Sequence, residues 1–513
     1  MSSRFAALLP RPKSVIPADG TLALAGTVVA SGPPDWLDHL ARFGLANTSV
    51  RPVAGDAPRI QLVEVPDAAA EWYRMTITTD GLTVKTRDRT GLARAIATLR
   101  QLLPAEVELP GTDVDVELPC GVVEDEPRFA WRGALIDVAR HFQPLPWLFG
   151  FIDQLAALKY NVLHLHLTDD QGWRLEVPAW PRLVEVGSWR RSTTYAGGDD
   201  GTPHGGWYSL GQLRALDAYA AARGITIVPE VDLPGHARAL LAAYPQFGTG
   251  AELPVATEFR IHSEIIHVTD SSMAMMTDIV DVLLDTFRGP WIHLGGDEAP
   301  MTEWEASDEA AEQMRRRELE TPRQLEHWLM RHFAAHLAKR GRRLVGWDEV
   351  VEHQDLPEAV VLSWRGSDPG HRAARRGHDV VLTPENVVYL DRYQSEDPDE
   401  PLALRKVTTW EDVAAWDPLG EWPEDATGEL LGLQAGLWGE STTDPASIEF
   451  QAFPRLSVMA EIAWLGHADS SNLRARLATQ LERLELQGVN ARPLDGPHPW
   501  QRGGTGRRTR REH

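Results

Sequence analysis

Cysteine is nearly absent from this chain. Among 513 residues only Cys120 carries a thiol, so no disulfide can form within the chain and no cysteine-based zinc site is possible. No apolar run approaches the roughly 18 residues of a membrane-spanning helix. The first apolar stretch is interrupted at Pro10 and Pro12, so no signal peptide is recognised and we expect a cytoplasmic protein.

Positive charge is also scarce. The chain has 51 Lys and Arg residues against 74 Asp and Glu residues, which gives a net charge of −23 at pH 7. So acidic a chain repels phosphate backbones and anionic lipid surfaces, and we expect neither nucleic acid nor a membrane as a partner. A neutral or cationic ligand suits this charge better. No pattern in the sequence indicates an oligomeric state.

The length predicts more than one domain, because a single hydrophobic core seldom serves so many residues. Residues 1–125 have the pattern of a small α+β domain, with a hairpin signal in 73–87 and helical spacing from Thr90 to Leu103. Residues 126–490 form a larger second domain. Residues 491–513 are rich in Pro, Gly and Arg, which predicts a flexible basic tail.

Short apolar runs alternate with segments of helical period throughout the larger domain. The eight runs are 133–139, 161–167, 225–232, 291–297, 343–349, 359–364, 379–383 and 431–438. This alternation predicts an α/β fold, a (β/α)8 TIM barrel whose active site lies at the carboxyl ends of the strands. A doubly wound open sheet is the alternative, but no GxGxxG motif follows the first run. Two long connections, 170–209 and 388–429, are expected to form walls over the site.

Polar and aromatic residues follow these runs: Arg140, Asp169, Asp170, Asp232, His236, Asp297, Glu298, Trp347, Asp348, Glu349, Trp364, Tyr389, Asp391, Trp438 and Glu440. On a barrel they converge at one mouth, where acids, an Arg, a His and several Trp residues together indicate carbohydrate hydrolysis. Any single Trp is equally well explained by core packing, so position matters more than the total of 19 tryptophans.

Metal binding is the competing interpretation of the histidines. His164 and His166 lie on the same face of a predicted strand and acids follow them, as in several metal-dependent barrel hydrolases. His236 has no second histidine near it in sequence, and its PGH setting is more typical of a neutral histidine held by an acid. We therefore expect no metal and no cofactor.

With these residues in view, the chain resembles glycoside hydrolase family 20, the β-N-acetylhexosaminidases. The matching blocks occur in the family's order: WRGALIDVARHF (131–142), KYNVLHLHLTDDQGWRLEV (159–177), VPEVDLPGHA (228–237), HLGGDE (293–298), GWDE (346–349), YLDRY (389–393), LWGE (437–440) and FPRLSVMAEIAW (453–464). The segment from LLPRPKSV to Pro104 also resembles the small domain that precedes the barrel in that family.

The resemblance implies a retaining, substrate-assisted reaction, for which family 20 is a known exception to the two-carboxylate scheme. The acetamido oxygen of the substrate is then the nucleophile and forms an oxazolinium intermediate. Glu298 is implied as the general acid and base, and Asp297 as the group that holds the acetamido N–H. Both can serve one site only where the strand ends, and Gly295 and Gly296 make a turn there inexpensive.

The resemblance assigns further roles around this pair. Tyr389 would donate to the acetamido oxygen, and Trp347, Trp364 and Trp438 would surround the acetamido methyl. Arg140 and Glu440 would hold sugar hydroxyls, and Asp391 the 6-hydroxyl. Two more roles are implied: stacking of a second sugar ring on Trp416, and tuning of Glu298 by His236 and Asp169.

The resulting hypothesis is an exo-acting β-N-acetylhexosaminidase that removes terminal β-linked GlcNAc or GalNAc from an oligosaccharide or glycoconjugate. A non-catalytic sugar-binding protein on the same fold and a metal-dependent barrel hydrolase remain as alternatives. A chitin fragment, a peptidoglycan piece and a glycan are all compatible with the sequence.

Overall fold

The computed structural model describes residues 3–195, 198–352, 356, 359–420 and 422–502. The amino-terminal part is built around a seven-stranded mixed sheet with the strand order β1-β7-β5-β6-β4-β2-β3. Its strands are β1 (Ser14–Leu24), β2 (Gly26–Ser31), β3 (Val50–Ala54), β4 (Ile60–Glu64), β5 (Tyr73–Ile77), β6 (Leu82–Thr86) and β7 (Val116–Asp125).

One long helix, Arg89–Leu102, packs against this sheet. It begins where the Asp88 side chain accepts hydrogen bonds from the backbone N–H groups of Thr90 and Gly91. It ends just before Pro104, which cannot continue a helix. The buried face of the helix and the alternating buried residues of the strands form a core of their own, as expected for a separate α+β domain.

Eight parallel strands then close into a barrel, so the predicted fold is confirmed. Neighbouring strands along the chain are neighbours in the barrel, and the last strand pairs with the first. The strands are β8 (Trp131–Asp137), β9 (Val162–His166), β10 (Thr226–Glu230), β11 (Trp291–His293), β12 (Arg343–Trp347), β13 (Val360–Ser363), β14 (Asp379–Leu382) and β15 (Leu430–Leu437).

Helices cover the outside of the barrel, and the strands are buried on both faces. Buried apolar side chains from six of the strands fill the interior, and the partly buried Trp291 and Leu431 of the other two pack against them. A larger apolar layer lies between strands and helices. Ser209, Thr269 and Thr321 each form a capping box that fixes where a long helix begins. The helices of eight or more residues are Leu145–Ala157, Leu210–Ala221, Asp270–Thr286, Asp308–Arg316, Pro322–Ala338, Asp368–Arg375, Pro445–Ala452, Arg455–Leu465 and Leu473–Leu486.

Shorter elements complete the chain. The short helices are Ser3–Ala6, Pro34–His39, Leu40–Gly44, Ala105–Glu108, Arg182–Glu185, Arg238–Ala243, Pro245–Phe247, Thr302–Glu305, Asp348–Val351, Glu385–Val388 and Trp410–Ala414. Four small strand pairs lie in loops: Thr168–Asp169 with Gly172–Trp173, Trp189–Arg190 with His204–Gly205, Thr194–Tyr195 with Gly198–Asp199, and Arg392–Tyr393 with Leu404–Val407. No helix among the described residues is both long and apolar enough to cross a bilayer.

A buried polar cluster joins the two domains. Asp125, at the end of β7, accepts hydrogen bonds from Lys159 Nζ at 2.6 Å, from the Tyr73 hydroxyl at 2.9 Å and from Trp464 Nε1 at 2.9 Å. Because tyrosine belongs to the first domain and the other two donors to the second, the carboxylate fixes one domain against the other.

The predicted flexible tail differs from the structure in its first half. Arg492 is buried and donates to Glu400 Oε1 at 2.6 Å, and buried Gln501 donates to the side chain of Asn490. Residues 491–502 therefore pack on the barrel, because their Arg and Gln side chains find buried partners. Residues 503–513 lie outside the described residues.

Candidate active site

A cavity of about 580 Å³ opens at the carboxyl ends of the barrel strands. Every residue to which the resemblance assigns a role, except Trp416, lines it. Three of the other residues that follow strands, Asp170, Asp348 and Glu349, do not line it. The lining consists of Arg140, His166, Asp169, Asp232, His236, Ile261, Asp297, Glu298, Trp347, Trp364, Glu385, Tyr389, Asp391, Arg392, Leu404, Lys406, Trp438 and Glu440. Their convergence follows from the parallel barrel, which brings all strand ends to one face.

Asp297 and Glu298 enter the cavity side by side because the chain turns before them. Strand β11 ends at His293, earlier than the predicted 291–297. Gly295 and Gly296 then adopt φ of +66° and +90°, and Glu298 itself adopts +43°. This turn cancels the alternation of a strand, so Asp297 Oδ2 and Glu298 Oε2 both lie 3.6 Å from His236 Nε2.

The setting of Glu298 suits a general acid. Burial and the adjacent Asp297 carboxylate raise the pKa of Glu298, although His236 and Arg140 act in the opposite direction. Its side chain is 31% exposed, so it can still reach a substrate in the cavity. A carboxyl group with a raised pKa keeps its proton closer to neutral pH, as a general acid must.

His236 is held from behind by acids. Its Nδ1 lies 3.4 Å from Asp169 Oδ1 and 3.5 Å from Asp170 Oδ2. Burial alone would lower the pKa of His236, but the Asp169 carboxylate outweighs it and the pKa lies well above 6.5. His236 is also at φ +47°, a conformation that costs energy for a non-glycine residue and is common at functional sites.

Asp169 has a second strong partner. Arg140 NH2 lies 2.8 Å from Asp169 Oδ2, and Arg140 NH1 lies 3.1 Å from Asp137 Oδ2. Burial would raise the pKa of Asp169, but Arg140 and His236 hold it well below its usual range. Asp169 therefore stays ionised and favours the protonated form of His236, so the neutral histidine expected from the sequence is corrected.

Aromatic side chains form one wall of the cavity. The rings of Trp347 and Trp438 lie 5.9 Å apart, and Tyr389 lies 5.7 Å from Trp438 and stacks on Trp364 at 6.5 Å. The indole N–H of Trp347 donates to Glu230 and that of Trp364 to Glu349, which fixes both rings. Burial and the carboxylates of Asp297 and Asp391 raise the pKa of Tyr389, so its hydroxyl remains a donor.

Polar side chains also line the cavity. Asp391 Oδ1 and Glu440 Oε2 are buried and make no hydrogen bond within the described part of the chain. Burial and the nearby Glu440 raise the pKa of Asp391 to about 7. The Arg140 guanidinium stacks 5.1 Å above the Trp438 ring. Such groups match the hydroxyl groups of a sugar.

Trp416 does not lie at the cavity. It is half-buried and packs against the apolar layer of the barrel. It follows the short helix Trp410–Ala414, whose position the sequence pattern did not reveal. The stacking role implied for Trp416 therefore has no support from its position and stays a prediction.

The cavity also contains residues that the sequence did not single out: Ile261, Glu385, Arg392, Leu404 and Lys406. The last three lie in the connection 388–429, as expected of a wall over the site. The other predicted wall, 170–209, contributes no lining residue. Only the length of the connection 388–429 could have indicated Arg392, Leu404 and Lys406, because loop residues carry no periodic pattern.

Groups of potential metal ligands occur at and beneath the cavity. Asp232, His236 and Asp297 form one such group, and His164, Glu230 and His293 form a buried one, with ligand atoms within 4.8 Å of each other. All of these histidines contact carboxylates directly. The expectation that the reaction needs no metal stays a prediction.

Comparison with known proteins identifies the family of both domains. Residues 129–467 match the model for the glycosyl hydrolase family 20 catalytic domain, and residues 6–126 match that for domain 2 of the same family. A beta-hexosaminidase of Porphyromonas gingivalis is 37% identical over 85% of this chain, which spans 56% of that relative's length. A beta-hexosaminidase of Akkermansia muciniphila is 35% identical over 89% of this chain and 92% of its own.

Solved structures show the same likeness. The N-acetyl-beta-hexosaminidase of Streptomyces plicatus, in complex with thio-NAglucal, is 30% identical with a TM-score of 0.82, over 95% of this chain and 96% of its own. An exo beta-N-acetylglucosaminidase of Vibrio harveyi in complex with N-acetylglucosamine has a TM-score of 0.84 at 29% identity, over 96% of this chain and 79% of its own. The chain belongs to glycosyl hydrolase family 20 and contains both the catalytic domain and domain 2 of that family.

Proposed function

We propose that this chain is an exo-acting β-N-acetylhexosaminidase that releases terminal β-linked GlcNAc or GalNAc. One observation carries the proposal: Asp297 and Glu298 face the same histidine beside a pocket walled by Trp347, Trp438 and Tyr389. The names of the relatives and of the structural neighbours support the same activity.

The position of the two acids favours a nucleophile supplied by the substrate. An ordinary retaining glycosidase needs a second carboxylate across the sugar ring as its nucleophile, with the two groups about 5 Å apart. Here both acids follow one strand and converge on His236. Asp297 is therefore better placed beside a 2-acetamido group than as an independent nucleophile on the opposite face.

The reaction then has two steps. The acetamido oxygen attacks the anomeric carbon, the glycosidic C–O bond breaks, and Glu298 gives its proton to the departing oxygen. The product of this step is an oxazolinium ion. Water next attacks the anomeric carbon and gives a proton to Glu298, which restores the acetamido group and retains the β configuration.

The remaining groups orient the acetamido group. Asp297 accepts its N–H and stabilises the positive charge that develops, while the Tyr389 hydroxyl donates to its oxygen. Trp347, Trp364 and Trp438 exclude water from its methyl. Because the nucleophile belongs to the substrate and is already positioned, orientation supplies much of the acceleration.

Exo action follows from the polar side chains of the cavity. Arg140, Asp391 and Glu440 would bind hydroxyl groups on the far edge of the terminal ring. A ring whose hydroxyl groups are bound there has no room for a further sugar, so only a chain end can be cleaved.

The test is hydrolysis of a chromogenic β-GlcNAc glycoside by the wild type, by Glu298→Gln and by Glu320→Gln, a control at an exposed glutamate. Loss of the general acid should lower kcat about 10²- to 10⁴-fold, and the control should match the wild type. The matching β-glucoside, which lacks the acetamido nucleophile, should react at least ~10³-fold more slowly. A wild type that is inactive on both GlcNAc and GalNAc glycosides would refute the proposal.

A further inference from the structure

Glu230, the last residue of β10, lies beneath the cavity and is fully buried. Its two carboxylate oxygens contact four nitrogen atoms. Oε1 lies 2.9 Å from Trp347 Nε1 and 2.8 Å from His293 Nδ1, while Oε2 lies 3.1 Å from His164 Nε2 and also contacts His166 Nδ1. The contacts with Trp347 Nε1 and His166 Nδ1 are hydrogen bonds, so each carboxylate oxygen accepts from one donor.

The charges around Glu230 make one strong internal ion pair. Burial would raise the pKa of Glu230, but the three histidines hold it well below its usual range. Burial would lower the pKa of His166, but Glu230 and Asp169 outweigh it and raise that pKa well above 6.5. Burial lowers the pKa of His164 to about 4, so this ring is neutral. His166 is thus a cation that contacts Glu230 directly.

One branch of contacts leads from this pair to the proposed general acid. His166 Nε2 lies 3.1 Å from Asp169 Oδ2, Asp169 Oδ1 lies 3.4 Å from His236 Nδ1, and His236 Nε2 lies 3.6 Å from Glu298. Negative and positive side chains alternate along this series of contacts, so each side chain orients the next one. Without the Glu230 carboxylate the pKa of His166 would fall, and the ion pair between His166 and Asp169 would weaken.

A second branch leads to the acetamido pocket. The hydrogen bond from Trp347 Nε1 to Glu230 fixes the rotation of an indole that lies 5.9 Å from Trp438. The ring of Trp347 is almost completely buried and also packs against the rings of His293 at 4.9 Å and His164 at 5.8 Å. A shift of this ring would change the shape of the pocket for the acetamido methyl.

We propose that Glu230 is a positioning residue that aligns both halves of the site at once: the Asp169–His236–Glu298 series through His166, and the acetamido pocket through Trp347. The inference rests on the proposed hydrolysis of 2-acetamido sugars. It assigns a functional role to a buried carboxylate that touches neither substrate nor reacting atoms.

The test compares Glu230→Gln with Gln434→Met. Gln434 is also buried and forms hydrogen bonds with His164 Nδ1 at 3.0 Å and with Trp131 Nε1 at 3.3 Å. Within the described part of the chain it forms no hydrogen bond with His166 or Trp347. Both variants are assayed on a β-GlcNAc nitrophenyl glycoside and on a GlcNAc disaccharide. The disaccharide has the poorer leaving group, so its cleavage depends more on the general acid than cleavage of the nitrophenyl glycoside does. A defect that is only structural lowers the rates on both substrates equally.

Glu230→Gln should lower kcat/KM at least about tenfold more for the disaccharide than for the nitrophenyl glycoside. The Trp347 branch is read from Glu230→Leu, because a glutamine would keep the oxygen that accepts from Trp347 Nε1. Glu230→Leu should also relax discrimination against a bulkier N-acyl group. Gln434→Met should lower the two rates in equal proportion. Equal losses for Glu230→Gln on both leaving groups, or unchanged N-acyl discrimination in Glu230→Leu, would overturn the proposal.

If Glu230→Gln does not fold, His166→Gln tests the branch to the general acid. Only the leaving-group effect is read from this variant, because the His166 ring also packs edge-on against Trp438 at 5.2 Å. The expected result is a larger loss on the disaccharide than on the nitrophenyl glycoside, and its absence refutes that branch. Wild-type inactivity on both substrates is a different outcome, since it refutes the proposed hydrolysis itself.

Discussion

Asp297 and Glu298 are adjacent in sequence but differ in exposure, at 13% and 31% of their side chains. The more exposed acid must exchange protons with a leaving group and with water. The more buried one needs only to hold an N–H group and a developing charge. The difference in exposure therefore matches the division of labour proposed for the pair.

Asp297→Asn should lower kcat about 10²- to 10³-fold while KM for an intact substrate changes little. The reason is that the carboxylate stabilises charge that forms only in the transition state, while an amide keeps the size of the side chain. Steady-state kinetics on a chromogenic β-GlcNAc glycoside measures both terms. A rise in KM as large as the fall in kcat would instead indicate a role in substrate binding.

The same variant should move the alkaline limb of the kcat/KM profile to lower pH. Glu298 must be protonated to act as an acid, and the Asp297 carboxylate helps to raise its pKa. Removal of that negative charge lets Glu298 lose its proton at lower pH, so activity declines earlier. The pH profiles of the wild type and of Asp297→Asn, recorded on one substrate, test this. An alkaline limb that stays in place or moves to higher pH contradicts the assigned effect of Asp297 on the pKa of Glu298.

At the scale of elements, the turn after β11 is the most constrained segment of the site. A Cβ atom on Gly295 would lie 1.3 Å from Asp232 Oδ1, and the residue is at φ +66°. Gly341 has nearly the same φ, +68°, but a Cβ there would meet nothing within 4 Å. An alanine at Gly341 would therefore add backbone strain alone, whereas an alanine at Gly295 would add a steric clash as well.

Gly341→Ala should cost about 1 kcal/mol, from backbone strain alone, and leave kcat unchanged. Gly295→Ala should cost more and lower kcat at least about tenfold, because the chain must move away from Asp232 and take Asp297 with it. Thermal unfolding and kinetics on the two variants measure these effects. Equal stability and activity of the two would show that the close packing at Gly295 is unimportant.

The eight barrel strands agree with the eight predicted runs to within a few residues. Unbroken apolar runs were sufficient to locate the strands, because a strand that is buried on both faces needs no alternation of polar and apolar residues. The predicted length failed at β11, where strand pairing stops at His293 because two glycines with positive φ leave the extended conformation.

At the scale of the whole molecule, buried acids govern the pH dependence of stability. Burial raises the pKa of Glu326 from its ordinary value of 4.5 to about 7, although Arg323 opposes the shift. The folded protein therefore binds this proton more tightly than the unfolded chain does. The stabilisation is complete below about pH 4.5 and is lost as the pH rises towards 7.

Glu326→Gln should remove this dependence and raise stability above pH 7 by up to about 3 kcal/mol relative to the wild type. Thermal unfolding between pH 4.5 and pH 8 of the wild type, Glu326→Gln and the exposed control Glu320→Gln measures it. The Glu326→Gln curve should fall less steeply with pH, and the control should follow the wild type. Parallel curves for all three would contradict the burial effect.

The sequence by itself determined the family, the order of domains and strands, and most of the residues that line the cavity. Apolar periodicity records burial, and blocks such as HLGGDE occur next to strands whose ends must meet. Every residue to which the resemblance assigns a role, except Trp416, lines the cavity for this reason.

Only the tertiary structure decided which groups act through one another. The contact of Glu230 with four nitrogens from three other strands, the crowding of Gly295 by Asp232, and the packing of Trp416 away from the cavity all depend on three-dimensional distances. A sequence pattern fixes the side chain that follows a strand. It does not fix what a loop or another strand places within about 3 Å of it, which is the range of a hydrogen bond.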